Sequence, residues 1–281
     1  MEFLLGAFLS FINNLPEGLK IEGLRYLIGA GGIFLLTWVI FAAKLRTRRI
    51  RAPLAADKRN TQMLREIRNS GITIFVFVFA YSFTEYALFQ IWGTSVFKIY
   101  PEVSTYGWTY LVFSVLLWTI GLDTYFYWTH RMMHHKKFYR FFHRTHHRSN
   151  NPTPFTAYSF APPEAVLIYL FVPLFFTVVP MHDVAFVSAM LVQIIRNALA
   201  HCGYEVFPKM WARHPILGLF ATVTHHDMHH ERGNGNYGFY FTVWDRLMGT
   251  EHPHYLERFD QNTGNSSPNF GGQAQEMSAS R

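Results

Sequence analysis

Charge is scarce in this chain of 281 residues. Only 15% are Asp, Glu, Lys or Arg, against about 25% in a typical soluble domain. Half of the residues are hydrophobic and 18% are aromatic, so charged outer faces for an ordinary soluble fold are missing. Cysteine is nearly absent. Cys202 stands alone, which excludes an intrachain disulfide. Residues 1–20 have no basic start, so a cleaved secretory signal is not expected. No H-E-x-x-H occurs, which removes support for a zincin protease. No G-x-S-x-G elbow occurs, which does the same for a serine hydrolase. Carboxylates are few near the histidines, Asp123, Asp227 and Glu231, so a carboxylate-bridged bundle with a Glu-x-x-His motif is not expected. There is no recognisable nucleic-acid module, and no nucleic-acid partner is expected.

Long apolar runs are abundant instead. Leu24 to Ala43 carries one charge, Arg25, at its edge. About 20 residues at a rise of about 1.5 Å cover about 30 Å, the thickness of a bilayer's hydrocarbon. Gly71 to Trp92 is interrupted by Glu85, and Tyr106 to Trp128 carries Asp123 near its end. Glu164 to Pro180 and Asp183 to Ala200 are joined by a short turn at 180–182. These runs predict an all-α integral membrane bundle of about four to five spans. Phe3 to Ile12 is too short to span and is expected to lie along the interface or to cap the bundle. Residues 1–260 read as one membrane-embedded domain. Residues 261–281, rich in Asn, Ser, Gly and Gln, read as a disordered tail.

The other abundance is histidine. Eight fall into three clusters: His130 and His134; His143, His146 and His147; His226, His229 and His230. His201 stands alone at the end of an apolar run. Imidazole is the commonest side-chain metal ligand and binds through a neutral ring nitrogen. Residues three and four apart share a helix face, so each cluster is expected to aim two or three rings at one point. Neutral imidazoles packed this closely need partners, and charged ones repel. A metal removes both problems. Nine ligands exceed what one ion needs, so two ions are expected. His182, His214, His252 and His254 read as ordinary polar residues.

Topology gathers the clusters. Lys44 to Arg51 is strongly basic and directly follows the first run, and basic flanks prefer the cytoplasmic side. With Lys44 inside, span parity brings all nine histidines to the cytoplasmic face. The loop at about 93–105 and the turn at 180–183 then lie on the opposite side. The net charge is +7. Much of it sits in Lys44 to Arg51 and in Lys136, Lys137, Arg140, Arg144 and Arg148, where it would face anionic headgroups or dock an acidic electron-donor protein.

Imidazole suits zinc, copper, iron and nickel. A zinc site needs only four ligands. An almost all-histidine pair of metals beside a membrane, open to lipid chains, fits iron and O₂ acting on an unactivated C–H bond. Two other readings stay open: a non-catalytic metal- or lipid-binding relative, and a zinc-dependent membrane hydrolase.

The order of motifs from residue 123 to 250 carries a resemblance. Asp123 is followed by Tyr-Trp-Thr-His-Arg at 127–131, His134 and His143-Arg-Thr-His-His147. His201-Cys-Gly-Tyr-Glu205 and His226-Asp-Met-His-His230 come next. Asn236-Tyr-Gly238 and Phe241-Thr-Val-Trp-Asp-Arg246 close the set. This resembles the fatty acid hydroxylase and sterol desaturase superfamily of membrane di-iron enzymes. Pro152-Thr-Pro-Phe155 and the closing motif look most like the lathosterol oxidase branch, while His-Cys-Gly-Tyr looks equally like sphingolipid and sterol hydroxylases. The resemblance implies a helical bundle under a cytosolic histidine-rich cap around a dinuclear site. It implies two irons, O₂, and electrons from a reduced b-type cytochrome or ferredoxin-like donor. It implies a sterol-like, fatty acyl or sphingolipid substrate from the bilayer of a bacterial inner membrane or endoplasmic reticulum. The ligands carried over are His130, His134, His143, His146, His147, His201, His226, His229 and His230. His135 and His225 are left out on helical register. Asp123 and Asp227 are expected to orient ligand imidazoles. Phe155, Tyr158 and Phe160, with the 164–200 hairpin, are expected to line an apolar tunnel to the histidines. Asn236 reads as a structural turn residue.

Overall fold

The computed structural model describes residues 1–264. Four helices are long and apolar enough to cross a membrane: α1 (Glu2–Ile40), α2 (Ala56–Trp92), α3 (Gly107–Met133) and a later one, Asp183–Ala200. The chain is an all-α, multi-pass membrane fold, as the apolar runs indicate. One boundary differs. Phe3 to Ile12 is not a separate interfacial piece but the first part of α1, which is 39 residues long. The polar residues at 13–22 interrupt the hydropathy without breaking the helix. Two charge pairs three residues apart keep it closed, Lys20 with Glu17 and Arg25 with Glu22.

α1 and α2 run antiparallel as a long hairpin. Phe3 meets Phe83 and Tyr86, and Phe11 meets Phe75 and Phe79. Further along, α1 comes close to Asp183–Ala200 at Gly29. A Cβ there would lie 2.7 Å from Ile194 Cγ1, so only glycine allows the approach.

Past α3 come two short helices, α4 (Lys136–Phe142) and α5 (Arg144–His147). The apolar segment α6 (Pro162–Val178) follows, then α7 (Asp183–Ala200). α6 is broken at Leu170 into halves Pro162–Tyr169 and Phe171–Val178. Pro173 accounts for the break. It has no N–H to offer the Tyr169 carbonyl, and its ring crowds that turn. The segment still covers about 25 Å. It carries the chain to a two-residue parallel strand pair, β1 (Ile99–Tyr100) with β2 (Met181–His182). The 93–105 loop and the 180–183 turn therefore sit at one end of the bundle. The histidine-bearing ends of α3 and α7 point to the other.

That other end is closed by α8 (Val223–Arg232), α9 (Val243–Leu247) and α10 (Tyr255–Thr263). α10 runs past residue 260, with Asn262 and Thr263 buried. Residues 261–263, expected in the tail, are therefore helical. Asn262 donates to Thr224 Oγ1 at 3.0 Å, which is why the helix continues. The rest of that expectation, residues 265–281, lies outside the described residues. The basic segment after α1 also departs from a simple lipid-facing flank. Arg48 donates to the carbonyls of Glu205 and Phe207, Arg49 to Tyr204 Oη, and Arg51 to Asp227. These guanidiniums pin the cap onto the bundle.

Candidate metal centre

All nine histidines converge, in two groups. His130, His134, His143, His147 and His229 form one, with a ring nitrogen of each within 4.8 Å of the others. His146, His201, His226 and His230 form the second on the same measure. His134 is partly exposed and the other eight are buried.

The grouping corrects the expectation that each cluster aims at one point. His143 and His147 enter the first group while His146 enters the second. His226 and His230 enter the second while His229 enters the first. Pairs four apart stay together, as His130 and His134 also do. The residue three along is rotated to the other side of the helix's inward face, because a turn takes 3.6 residues. Each H-x-x-H-H box therefore serves both groups.

Local structure explains how the rings are placed. α3 delivers His130 from its last turns, and His134 caps its end. Thr222 caps α8 by accepting from the His225 N–H, and Gly233 ends that helix at φ 68°. Beyond it, Asn236 holds φ 56°, a left-handed conformation open to Asn. Its side chain donates to the His225 carbonyl at 2.9 Å and accepts from the His252 N–H at 2.7 Å. Asp245 accepts from the N–H groups of Tyr237 at 2.9 Å and Gly238 at 2.7 Å. The resulting strap turns two carbonyls toward the histidines. Tyr237 O accepts from His130 Nδ1 at 2.9 Å, and Gly235 O from His229 Nδ1 at 2.7 Å. Asn197 O does the same for His201 Nδ1 at 2.7 Å. An Nδ1–H engaged outward leaves the Nε2 lone pair facing inward.

The inward nitrogens cannot all satisfy one another. His201 Nε2 lies 2.9 Å from His226 Nε2, 3.1 Å from His230 Nε2 and 3.3 Å from His146 Nε2. His229 Nε2 lies 3.0 Å from the Nε2 of both His134 and His147, and His130 Nε2 lies 2.9 Å from His143 Nε2. A neutral ring has one N–H, already used by Nδ1 where its partner is a carbonyl. Lone pairs at this spacing repel unless a cation sits between them. Adjacent ligands of one ion with bonds of about 2.1 Å lie about 3 Å apart, so the spacing fits two metal ions. Burial, reinforced by neighbouring rings, holds His143, His146, His147, His226 and His230 well below the ordinary histidine pKa. Burial lowers His134 to about 2 and His201 and His229 to about 4. The rings are thus neutral and able to ligate.

The two aspartates expected to orient imidazoles do not touch them. Asp123 Oδ1 accepts from the N–H groups of Tyr240 at 2.7 Å and Phe241 at 3.1 Å, which fixes the far end of the strap. Asp227 Oδ1 takes Arg51 Nε at 2.6 Å. It points away from the rings because its neighbours on α8 occupy the inward face. The carboxylate that does meet a ring is Glu164, whose Oε1 lies 2.6 Å from His143 Nδ1. Sequence spacing gave no link between positions 143 and 164. The available signal was an acid inside an apolar run, which marks function by default. His135 is exposed and His225 is buried, and both lie outside the two groups. His182, His214, His252 and His254 also lie outside them.

The tunnel residues divide. Phe160 is buried with its ring 5.4 Å from that of His146. Tyr158 instead stacks on Tyr26 and accepts from Arg25 Nη2 at 2.8 Å, and Phe155 packs against Phe34. None of the three lines the large apolar cavity of about 700 Å³ between α3 and α7. That cavity is bordered by Leu111, Trp118, Ala185, Ala189 and Val192, with Tyr240 and Phe241 among its lining. It uses the 183–200 half of the expected hairpin. The 152–160 segment packs on α1 and α2 instead, because Tyr26, Phe34 and Phe77 take up its aromatic faces. From Tyr240, the rings of Phe239 and Phe126 lead to His130 at centroid steps of 4.6, 5.1 and 4.8 Å.

Comparison with known proteins agrees with the resemblance. Residues 115–250 match the family described as fatty acid hydroxylase. Rat lathosterol oxidase is 32% identical over 163 residues, 57% of this chain and 53% of the relative. Human lathosterol oxidase is 32% identical over 165 residues, 58% and 53% respectively. The C-4 methylsterol oxidase of Schizosaccharomyces pombe is 32% identical over 168 residues, 57% and 52%. The chain thus spans about half the length of these curated relatives. No solved structure matches it significantly. The stretch that carries all nine histidines is the one that matches the fatty acid hydroxylase family.

Proposed function

We propose that the protein is an O₂-dependent di-iron oxidoreductase that desaturates or hydroxylates a C–H bond of a membrane lipid, sterol-like or fatty acyl. The observation that carries this is the convergence of nine imidazoles in two groups, with facing Nε2 atoms 2.9 to 3.3 Å apart. Their donor set fits two irons, His130, His134, His143, His147 and His229 holding one and His146, His201, His226 and His230 the other. When bound, the irons would supply activation of O₂ and hydrogen removal from an unactivated carbon, with electrons from an external carrier.

The chain's own residues do the rest. The strap at 233–242 and Asn197 hold the rings of His130, His229 and His201 in one tautomer. Burial of the histidines excludes bulk water from the reacting centre. The cavity between α3 and α7 offers an apolar slot for a substrate that has no polar handle near its reacting carbon. Phe126, Phe239 and Tyr240 stand between that slot and His130. Names of the relatives favour a sterol-like substrate, since lathosterol and methylsterol oxidases are among them. Span parity and the basic 44–51 segment support a cytoplasmic histidine end. There Lys136, Lys137, Arg140 and Arg144 are exposed for an acidic b-type cytochrome or ferredoxin-like donor.

Mass spectrometry of total lipids from cells with and without the protein tests this reading. A substrate lighter by two hydrogens identifies a desaturase, and one heavier by an oxygen identifies a hydroxylase. An unchanged lipid profile, with no turnover by purified protein given iron, reductant and O₂, would overturn it.

A further inference from the structure

Glu164 is fully buried at the start of α6, 2.6 Å from His143 Nδ1. Its second oxygen, Oε2, is buried without a hydrogen-bond partner. Among the described residues its only ion-pair contact is His143 itself, with no Lys or Arg nearby. The surrounding sequence is Ala161-Pro-Pro-Glu-Ala-Val166, which has little with which to solvate a charge. An unpaired carboxylate in such a place is costly unless a cation compensates it. The only route to a cation runs through the imidazole. His143 Nε2 faces His130 Nε2 at 2.9 Å inside the five-histidine group.

The four-histidine group has no equivalent. His201 Nδ1 meets a neutral carbonyl, His146 faces the backbone of Ser159, and His230 Nδ1 has no hydrogen-bond partner among the described residues. One group therefore has a carboxyl group against a ligand ring, and among the described residues no carboxyl contact is seen for a ring of the other. A carboxylate hydrogen-bonded to a ligand imidazole fixes its orientation and makes it a better donor.

We infer that Glu164 is a positioning residue that acts through His143 to make the two metal sites unequal, the five-histidine site holding its ion more tightly than the four-histidine site. This rests on the two-metal reading above. It adds which site is the stronger and which residue makes it so.

The test is a titration of detergent-purified, metal-free protein with Co²⁺, following its visible bands, for wild type, Glu164→Gln and Glu164→Ala. Wild type is expected to fill in two phases, one tight and one weak. Glu164→Gln keeps an acceptor for Nδ1–H but removes the charge, so the tight phase should weaken about 10-fold. Glu164→Ala removes both, and the loss should approach about 100-fold, the usual range for such partners. The weak phase should stay within about twofold of wild type in both variants, on the same principle of a local effect. Binding of ⁵⁷Fe²⁺ should show the Mössbauer signal of one iron altered and the other unchanged. Should Glu164→Ala fail to fold, Glu164→Gln decides alone. Two unchanged phases in Glu164→Gln overturn the inference, as does equal weakening of both phases, which marks a merely structural role. Wild type that binds no Co²⁺ and no Fe²⁺ overturns the two-metal reading itself, a result distinct from either.

Discussion

The outer surface of the bundle and the interior of the cap invert the usual polarity of a protein. On the bundle, Leu4, Leu64, Ile91 and Val178 are each more than 65% exposed. In the cap, eight of the nine converging histidines are at most 7% exposed, and Asp245 and Glu205 are completely buried. Apolar groups outside make sense when the surrounding medium is lipid. Polar groups inside make sense when each has a partner. In the cap backbone carbonyls and one carboxyl meet the outer nitrogens of His130, His143, His201 and His229, while the inner nitrogens crowd one another. The comparison teaches that the bundle's exterior suits hydrocarbon, whereas the cap's interior gathers ring nitrogens that could hold metal ions.

The strongest way to break this comparison is to remove a ring. His147→Ala and His201→Ala, one from each group, should abolish turnover, with activity reduced at least 100-fold, since even an indirect partner of a ligand is worth about 10- to 100-fold. The apolar exterior is untouched, so both variants should still insert in membranes. His214→Ala and His254→Ala, outside both groups, should retain activity. Full activity in purified His147→Ala would remove the metal assignment.

Acid should separate the two regions next. In metal-free protein His201 and His229 titrate near 4, whereas an unfolded histidine titrates near 6.5. Between those values the unfolded chain binds protons that the folded one refuses, so stability falls as pH drops through that window. Each such ring costs on the order of 3 kcal/mol by pH 4. Burial raises the carboxyls of Glu205, Asp227 and Asp245 above their usual range, which acts the opposite way. The imidazoles outnumber them, and the net slope should be downward toward acid. Metal should flatten it. Thermal unfolding of stripped and metal-loaded protein between pH 4 and 7 gives the measurement, and parallel curves would contradict the account.

A smaller effect should come from the strap. Asp245→Asn keeps one acceptor oxygen but sets an amide NH₂ against a backbone N–H or Thr250 Oγ1. The loss of a charged acceptor at a buried site costs about 1.5–3 kcal/mol. Tyr237 O and Gly235 O would then loosen from His130 and His229. Metal affinity should drop about tenfold while the bundle's helicity stays the same. Unchanged affinity and melting temperature would show that the strap is held by other contacts.

Much of this was legible in the sequence, for identifiable reasons. The nine ring positions stand out because boxes of histidine are rare and their spacing matches a helix turn. The spans stand out because apolar runs of about 20 residues suit the bilayer. The sorting into five and four did not stand out. It depends on a rotation of one residue within each box, and on where α7 brings His201. Asp123 and Asp227 looked like imidazole partners by proximity in the chain. In three dimensions the strap's N–H groups and Arg51 claim them first. Glu164 was hidden because its partner lies 21 positions away, beyond any helical period. The aromatic segment 155–160 was read as a tunnel wall. Its faces are mostly taken by α1 and α2.

That last point sets the finest test, since two walls compete for the substrate. Ala189 borders the cavity between α3 and α7, and Phe160 lies against His146. Ala189→Trp places a large ring in the slot, whose lining includes none of the nine converging histidines. It should lower kcat/KM for the lipid about tenfold, or about 1.4 kcal/mol, mainly through KM, with metal content unchanged. Phe160→Ala opens space beside the four-histidine group. It should change the ratio of products by a few-fold rather than the overall rate, because a carbon held for reaction must stay within about 3–3.5 Å of its attacker. Tyr158→Phe removes only the hydroxyl that Arg25 holds, and should do least of the three. If Phe160→Ala raises KM strongly and Ala189→Trp leaves it unchanged, the substrate approaches along the 152–160 segment, and the cavity between α3 and α7 is a lipid-filled crevice with no part in turnover.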